Sequence, residues 1–241
     1  MKKLTLILVL IFISITQLIS LSSAENVSSS KYSNIYIDPS VPNADLKESM
    51  TALIYWALRE TFVFEDFTIS YKPCGFVNAS SNPNITMCVE LLSELDQMGI
   101  PEAELFILHH ELGHSLLYLW GYPLYDNEDA ADEFATLFMS LSPSTKPIAE
   151  KAALWFEQNA SVVQTLSAHW KDDRHTLNPQ RARNIGRWLQ QPQALKKRWS
   201  ALLLPKMKTE ALRRELKRNA SDPNGGTADL AMMAEELAKR K

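Results

Sequence analysis

Leu4 to Leu21 is an almost unbroken apolar run behind Lys2 and Lys3, and it gives way to small residues at Ser22, Ser23 and Ala24. A positive start, an apolar stretch and small residues at its end predict an export signal cut after Ala24, making 1–24 a signal peptide. The competing reading is an uncleaved membrane anchor, because the run reaches the lower limit of a membrane span. Thr5, Ser14, Thr16 and Gln17 dilute the run and favour the signal. Residues 25–40 are rich in Ser and Asn and poor in apolar positions, so they read as a flexible mature N-terminus.

Beyond this point the periods of the pattern predict elements. Met50, Leu53, Trp56 and Ala57 share a face of a helix from Leu46 to Arg59, with Asp45 as its cap. Phe67 to Tyr71 and Ile85 to Val89 alternate and read as strands, separated by the turn-rich stretch 74–83. Together they predict a small antiparallel hairpin. A short helix from Leu91 to Met98 ends at Gly99. Pro101 opens a long helix to about Trp120 that is apolar nearly all round, which implies a buried central helix stopped by Gly121. Asp126 or Asn127 caps the next helix, to Leu141. Pro147 to Asn159 is helical with room to extend to Trp170; 171–180 is polar loop and 181–190 helix. The domain so outlined spans 41–200, followed by a charged helical tail over 201–241 with a break at 222–226. The fold class expected is α+β: a helix-rich domain with a small antiparallel sheet.

The chain has 241 residues, 46% hydrophobic and 22% charged, which suits one folded domain with a sizeable core. Its net charge of −3 argues against nucleic acid as a partner. Cys74 and Cys88 are its two cysteines, so one pairing exists. In an oxidising compartment a disulfide between them contributes roughly 3 kcal/mol on the chain-entropy argument. The rival reading, two thiolate metal ligands, lacks histidine partners close by.

Candidate chemistry concentrates in His109-His110-Glu111-Leu112-Gly113-His114. Residues four apart share a helix face, so His110 and His114 can direct imidazoles at one ion, while Glu111 lies beside the first and can act as general base on water. His-Glu-x-x-His alone arises by chance in roughly one chain of this length in a few hundred, so context matters. Zinc in hydrolytic sites takes three protein ligands and keeps one position for water. The following helix opens with Asn127-Glu128-Asp129-Ala130-Ala131-Asp132. The short loop before it can return Glu128 to the metal as third ligand, and Asp132, four residues on, can accept the free N–H of a ligand histidine. Ala130, Ala131 and Ala135 permit close helix approach. The plain alternative is a solvated acidic helix start.

His110-Glu111-x-x-His114 followed by Asn127-Glu128-x-x-x-Asp132 resembles the gluzincin peptidases, including the thermolysin group, although the link between second His and Glu is shorter here. More widely, the chain is similar to a bacterial family of unknown function whose metallopeptidase activity is inferred. Cys74-Gly75, Asn78-Ala79 and Cys88 to Leu91, the two metal segments, and Asp173-x-His175 with Gln180-Arg181 and Asn184 carry that likeness over about 40–190. The resemblance implies Zn2+ as cofactor, His175 as donor to the oxyanion, and Asp173 as the group orienting it. Arg181, Tyr118, Tyr122 and Tyr125 are rival donors. His109 points about 100° away from His110 and reads as a core histidine, and His169 beside Trp170 as structural. The strand Ile85 to Val89 is a candidate for backbone pairing with substrate, and Glu90 just after it reads as a solvated acid, with contact to substrate as the alternative. The expectation is an exported, periplasmic or secreted, zinc-dependent peptidase acting on a peptide or protein, with membrane contact only if the signal is retained and oligomeric state open. The alternatives are a hydrolase of another amide, an exported binding or assembly protein with a structural metal, and an accidental motif.

Overall fold

The computed structural model describes residues 33–159, 178–220 and 227–240. The export signal expected over 1–24 and the helical extension to Trp170 lie outside the described residues. Four short strands form one sheet: β1 (Ile35–Ile37), β2 (Ile69–Lys72), β3 (Ala79–Ser81) and β4 (Ile85–Cys88), in the order β1-β2-β4-β3. The helices are α1 (Ala44–Thr61), α2 (Val89–Gln97), α3 (Ala103–Leu119), α4 (Glu128–Ser140), α5 (Lys146–Gln158), α6 (Asn178–Gln190), α7 (Pro192–Leu203), α8 (Thr209–Ala220) and α9 (Thr227–Ala238). The architecture is α+β and helix-rich.

The sheet corrects the expected antiparallel hairpin. β2 and β4 run parallel, with Ile69 beside Ile85 and Lys72 beside Cys88. The turn-rich stretch between them contributes β3, which pairs antiparallel with β4 and takes the sheet edge. Alternation along a strand tells which face is buried but not which neighbour it pairs with or in which direction. Parallel strands end at the same rim, and the Cys74–Cys88 disulfide ties these two C-terminal ends together. The stretch 25–40 also differs from expectation, because Ile35–Ile37 forms the opposite edge, parallel to β2. Asn34 Nδ2 anchors it by donating to Phe67 O at 2.7 Å.

Helix α3 is the centre of the molecule. Ala103, Phe106, Leu112, Leu116 and Leu117 are fully buried against the sheet and its neighbouring helices. It ends where Gly121 takes a φ of 70°, a conformation glycine reaches without a Cβ clash. After a short loop, Asn127 Oδ1 accepts the Ala130 N–H at 2.8 Å and starts α4. The chain thus folds back and packs α4 along α3, burying Ala131, Phe134, Ala135 and Phe138.

Gly113 sets how close these two helices come. A Cβ there would stand 3.1 Å from Phe134 Cβ and 3.2 Å from the Ala131 Cα. Gly113→Ala gains about 1 kcal/mol of helix propensity, but overpacking against backbone costs about 1–3 kcal/mol. The expected outcome in a thermal melt is a lower Tm despite the better helix former. A raised Tm would show that the close approach is not needed.

The tail beyond 200 is seated on the domain. Val63 N–H donates to Lys206 O and Lys208 N–H to Thr61 O, each at 2.8 Å, joining it to the end of α1. Leu212 is fully buried, while Arg213 pairs outward with Glu210. Among the described residues no helix is long and apolar enough to cross a membrane.

Candidate metal centre

His110 lies 5% exposed in the middle of α3, held at that depth by the apolar residues around it. One turn on, the His114 ring stands against it edge to face, with centroids 4.6 Å apart and the two Nε2 atoms 3.1 Å apart. Because Asn127 fixes the start of α4, Glu128 enters at its first turn with the carboxylate turned to both rings. Its Oε2 is 3.2 Å from His110 Nε2 and its Oε1 3.5 Å from His114 Nε2. The Nδ1 side of each ring is already committed. His110 Nδ1–H donates to Asp132 Oδ1 at 2.8 Å, and His114 Nδ1–H to the Tyr125 carbonyl at 2.6 Å. Those bonds orient the rings and turn both Nε2 atoms toward the Glu128 carboxylate.

This donor set fits a metal ion. Two imidazole nitrogens about 2.0–2.2 Å from a tetrahedral ion stand about 3.3–3.6 Å apart, near the 3.1 Å found between the two Nε2 atoms, and each Nε2 has a Glu128 oxygen within 3.5 Å. The electrostatics of the metal-free cluster favour a charged His110. Burial and the Arg181 charge push the His110 imidazolium down, but hydrogen bonds to Asp132 and Glu128 outweigh both and lift its pKa to about 10. In the metal-free chain His110 thus holds a proton that a bound metal ion would have to displace.

Arg181 arrives from α6 and closes the far side. Its Nε and Nη2 donate to Asp132 Oδ2 and Oδ1 at 2.7 and 2.8 Å. Its Nη1 is 3.3 Å from Glu128 Oε2, and its guanidinium carbon lies 3.9 Å from the Phe156 ring centroid. Burial pushes the Asp132 pKa up, but the Arg181 charge and hydrogen bonds outweigh it and keep the carboxyl low and ionised. Nearby, Asn184 Nδ2 donates to Asp129 Oδ1 at 3.1 Å, tying α6 to α4 a second time. Glu111 is 5% exposed, and burial raises its pKa against the opposing charges of His110 and His114.

The remaining expected residues separate. Arg181 is removed from the oxyanion donors, because its guanidinium is spent on Asp132 and Glu128. Tyr122 OH donates to Leu202 O at 2.9 Å. Tyr118 and Tyr125 form an exposed edge-to-face pair at 5.3 Å, one turn beyond His114. Asp173, His175 and His169 lie outside the described residues. His109 is a buried neutral histidine: its Nδ1 meets Leu105 O at 2.8 Å, and burial lowers its pKa to about 4. Glu90 is no free acid. Its carboxylate accepts the Cys74 and Gly75 N–H groups at 3.0 and 2.6 Å, which holds it below the usual carboxylate range. It stands beside Cys74 and Cys88, but the disulfide leaves no thiolate there to hold a metal. Arg181 is the buried contact whose place the sequence did not reveal, since nothing local to residue 181 marks its partners Glu128 and Asp132 on α4.

The family model described as "Putative metallopeptidase" matches residues 43–190, which include α3, α4 and Arg181. No curated protein and no solved structure matches the chain. A metallopeptidase family implies a metal ion, and His110, His114 and Glu128 form a group able to hold one, with donor atoms within 4.8 Å of one another. Matched over more than half of its length, the chain belongs to this "Putative metallopeptidase" family.

Proposed function

We propose that this chain is an exported, zinc-dependent peptidase that hydrolyses peptide bonds, with His110, His114 and Glu128 as metal ligands and Glu111 as general base. The observation that carries the reading is the convergence of two imidazoles, each oriented through its Nδ1, and one carboxylate beside the buried Glu111, in a chain of a metallopeptidase family. Zinc bound there supplies a Lewis acid that polarises the scissile carbonyl and lowers the pKa of water toward ~7. Glu111 takes the proton from the attacking water and passes it to the leaving amine. Asp132 holds the His110 ring in register, and the Tyr125 carbonyl does the same for His114.

A peptide can add to the sheet edge by backbone pairing. β4 is interior, so that role passes from Ile85–Cys88 to β3, Ala79–Ser81, which packs beside α3. The Cys74–Cys88 disulfide supports export, since such bonds persist in oxidising compartments.

The test is hydrolysis of a quenched-fluorescent peptide library by the purified chain. Cleavage lost on treatment with a zinc chelator and restored by added zinc supports the reading. A zinc-loaded, folded chain that cleaves nothing in the library contradicts it.

A further inference from the structure

Arg181 is a buried cation that the proposed hydrolysis leaves unused. Glu111, Glu128 and Asp132 are 5%, 8% and 0% exposed, so three carboxylates are withdrawn from water around one permanent positive charge. Arg181 binds Asp132 through a two-pronged hydrogen bond, and its third nitrogen reaches Glu128 Oε2, the same oxygen that faces His110 Nε2. The guanidinium carbon lies over the Phe156 ring, 3.9 Å from its centroid. Arginine suits this place because its planar fork fits a carboxylate at two points and stacks on an aromatic ring, which the point charge of lysine does not.

We propose that Arg181 is a positioning residue that acts as a built-in counter-charge. It holds the Glu128–Asp132 face of α4 in ligand-ready geometry before a metal ion arrives, and metal and arginine then share the neutralisation of one carboxylate cluster. The proposal rests on the metal-site reading above. Its physical basis is that a buried carboxylate left without a counter-charge is strongly disfavoured. With Arg181 present, the metal-free chain meets part of that demand by itself. Without it, the whole demand falls on the metal. A purely packing role for Arg181, through its methylenes and the Phe156 stack, would affect metal-free and metal-loaded chains alike.

The experiment compares thermal melts of wild type, Arg181→Met and Arg181→Lys, each stripped of metal and each loaded with zinc. Methionine keeps much of the side-chain volume without the charge; lysine keeps the charge without the fork. The expected result is that stripped Arg181→Met melts below wild type, and that zinc raises its Tm by an increment larger than the wild-type one by roughly 5 °C or more. Arg181→Lys should show an increment close to wild type. Equal or smaller increments in Arg181→Met overturn the proposal, as does an Arg181→Met chain that stays unfolded with zinc, or a lysine variant that behaves like methionine. A wild-type chain whose Tm does not respond to zinc would instead overturn the metal-site reading itself.

Discussion

Asp132→Ala is expected to cost about 3–5 kcal/mol of folding stability, the range for breaking a buried ion pair by removing one partner. Asp132 is fully buried and accepts three hydrogen bonds, two from the Arg181 guanidinium and one from His110 Nδ1. Alanine strands the arginine in a site 8% exposed, with Glu128 Oε2 at 3.3 Å as its remaining carboxylate. It also frees the His110 ring to turn, which should weaken metal binding by about 10- to 100-fold. Asp132→Asn keeps an acceptor for both neighbours and is expected to lose less. Urea denaturation of the metal-free chains measures the first effect and competition with a zinc chelator the second. A loss below about 1 kcal/mol for alanine would show that the Asp132–Arg181 pair does not organise the site.

Glu111→Gln carries the second large expectation. Glutamine keeps the volume of a side chain that is 5% exposed, and keeps one carbonyl oxygen, but cannot take up a proton. Peptide turnover is expected to fall by at least 10²- to 10⁴-fold, the usual contribution of a positioned general base. Metal content should be unchanged, because the ligand set His110, His114 and Glu128 is untouched. A Glu111→Gln chain that cleaves at the wild-type rate would remove Glu111 from the chemistry and favour a structural metal.

The parts of this molecule that were legible in the sequence are those governed by local chemistry. Gly121 and Asn127 mark the end of α3 and the start of α4 because helix termini need a left-handed residue and a side-chain acceptor, needs visible in single residues. The all-round apolar pattern of 103–119 marks a buried helix for the same reason. Given those two helices, a four-residue spacing brings His110 to His114 and a short loop brings Glu128 to both. The sheet was less legible. Strand existence follows from alternation, but the parallel pairing of β2 with β4 depends on β3 taking the edge, a choice made by the whole fold. Arg181 shows the same limit. Its partners are 49 residues away at Asp132 and 53 away at Glu128, and no periodicity connects α6 to α4. The tail was legible as charged helix, but not the burial of Leu212 against the domain, because one apolar residue among charges does not announce its neighbour.

In the function proposed above, His110, His114 and Glu128 together hold one zinc ion. Elemental analysis of the purified chain tests it most directly, with wild type and Glu128→Ala measured after identical dialysis against zinc and then metal-free buffer. The account predicts one zinc per wild-type chain and its loss from Glu128→Ala, with both chains folded. A folded wild type that retains no zinc, or a Glu128→Ala chain that retains it as well as wild type, would contradict the account.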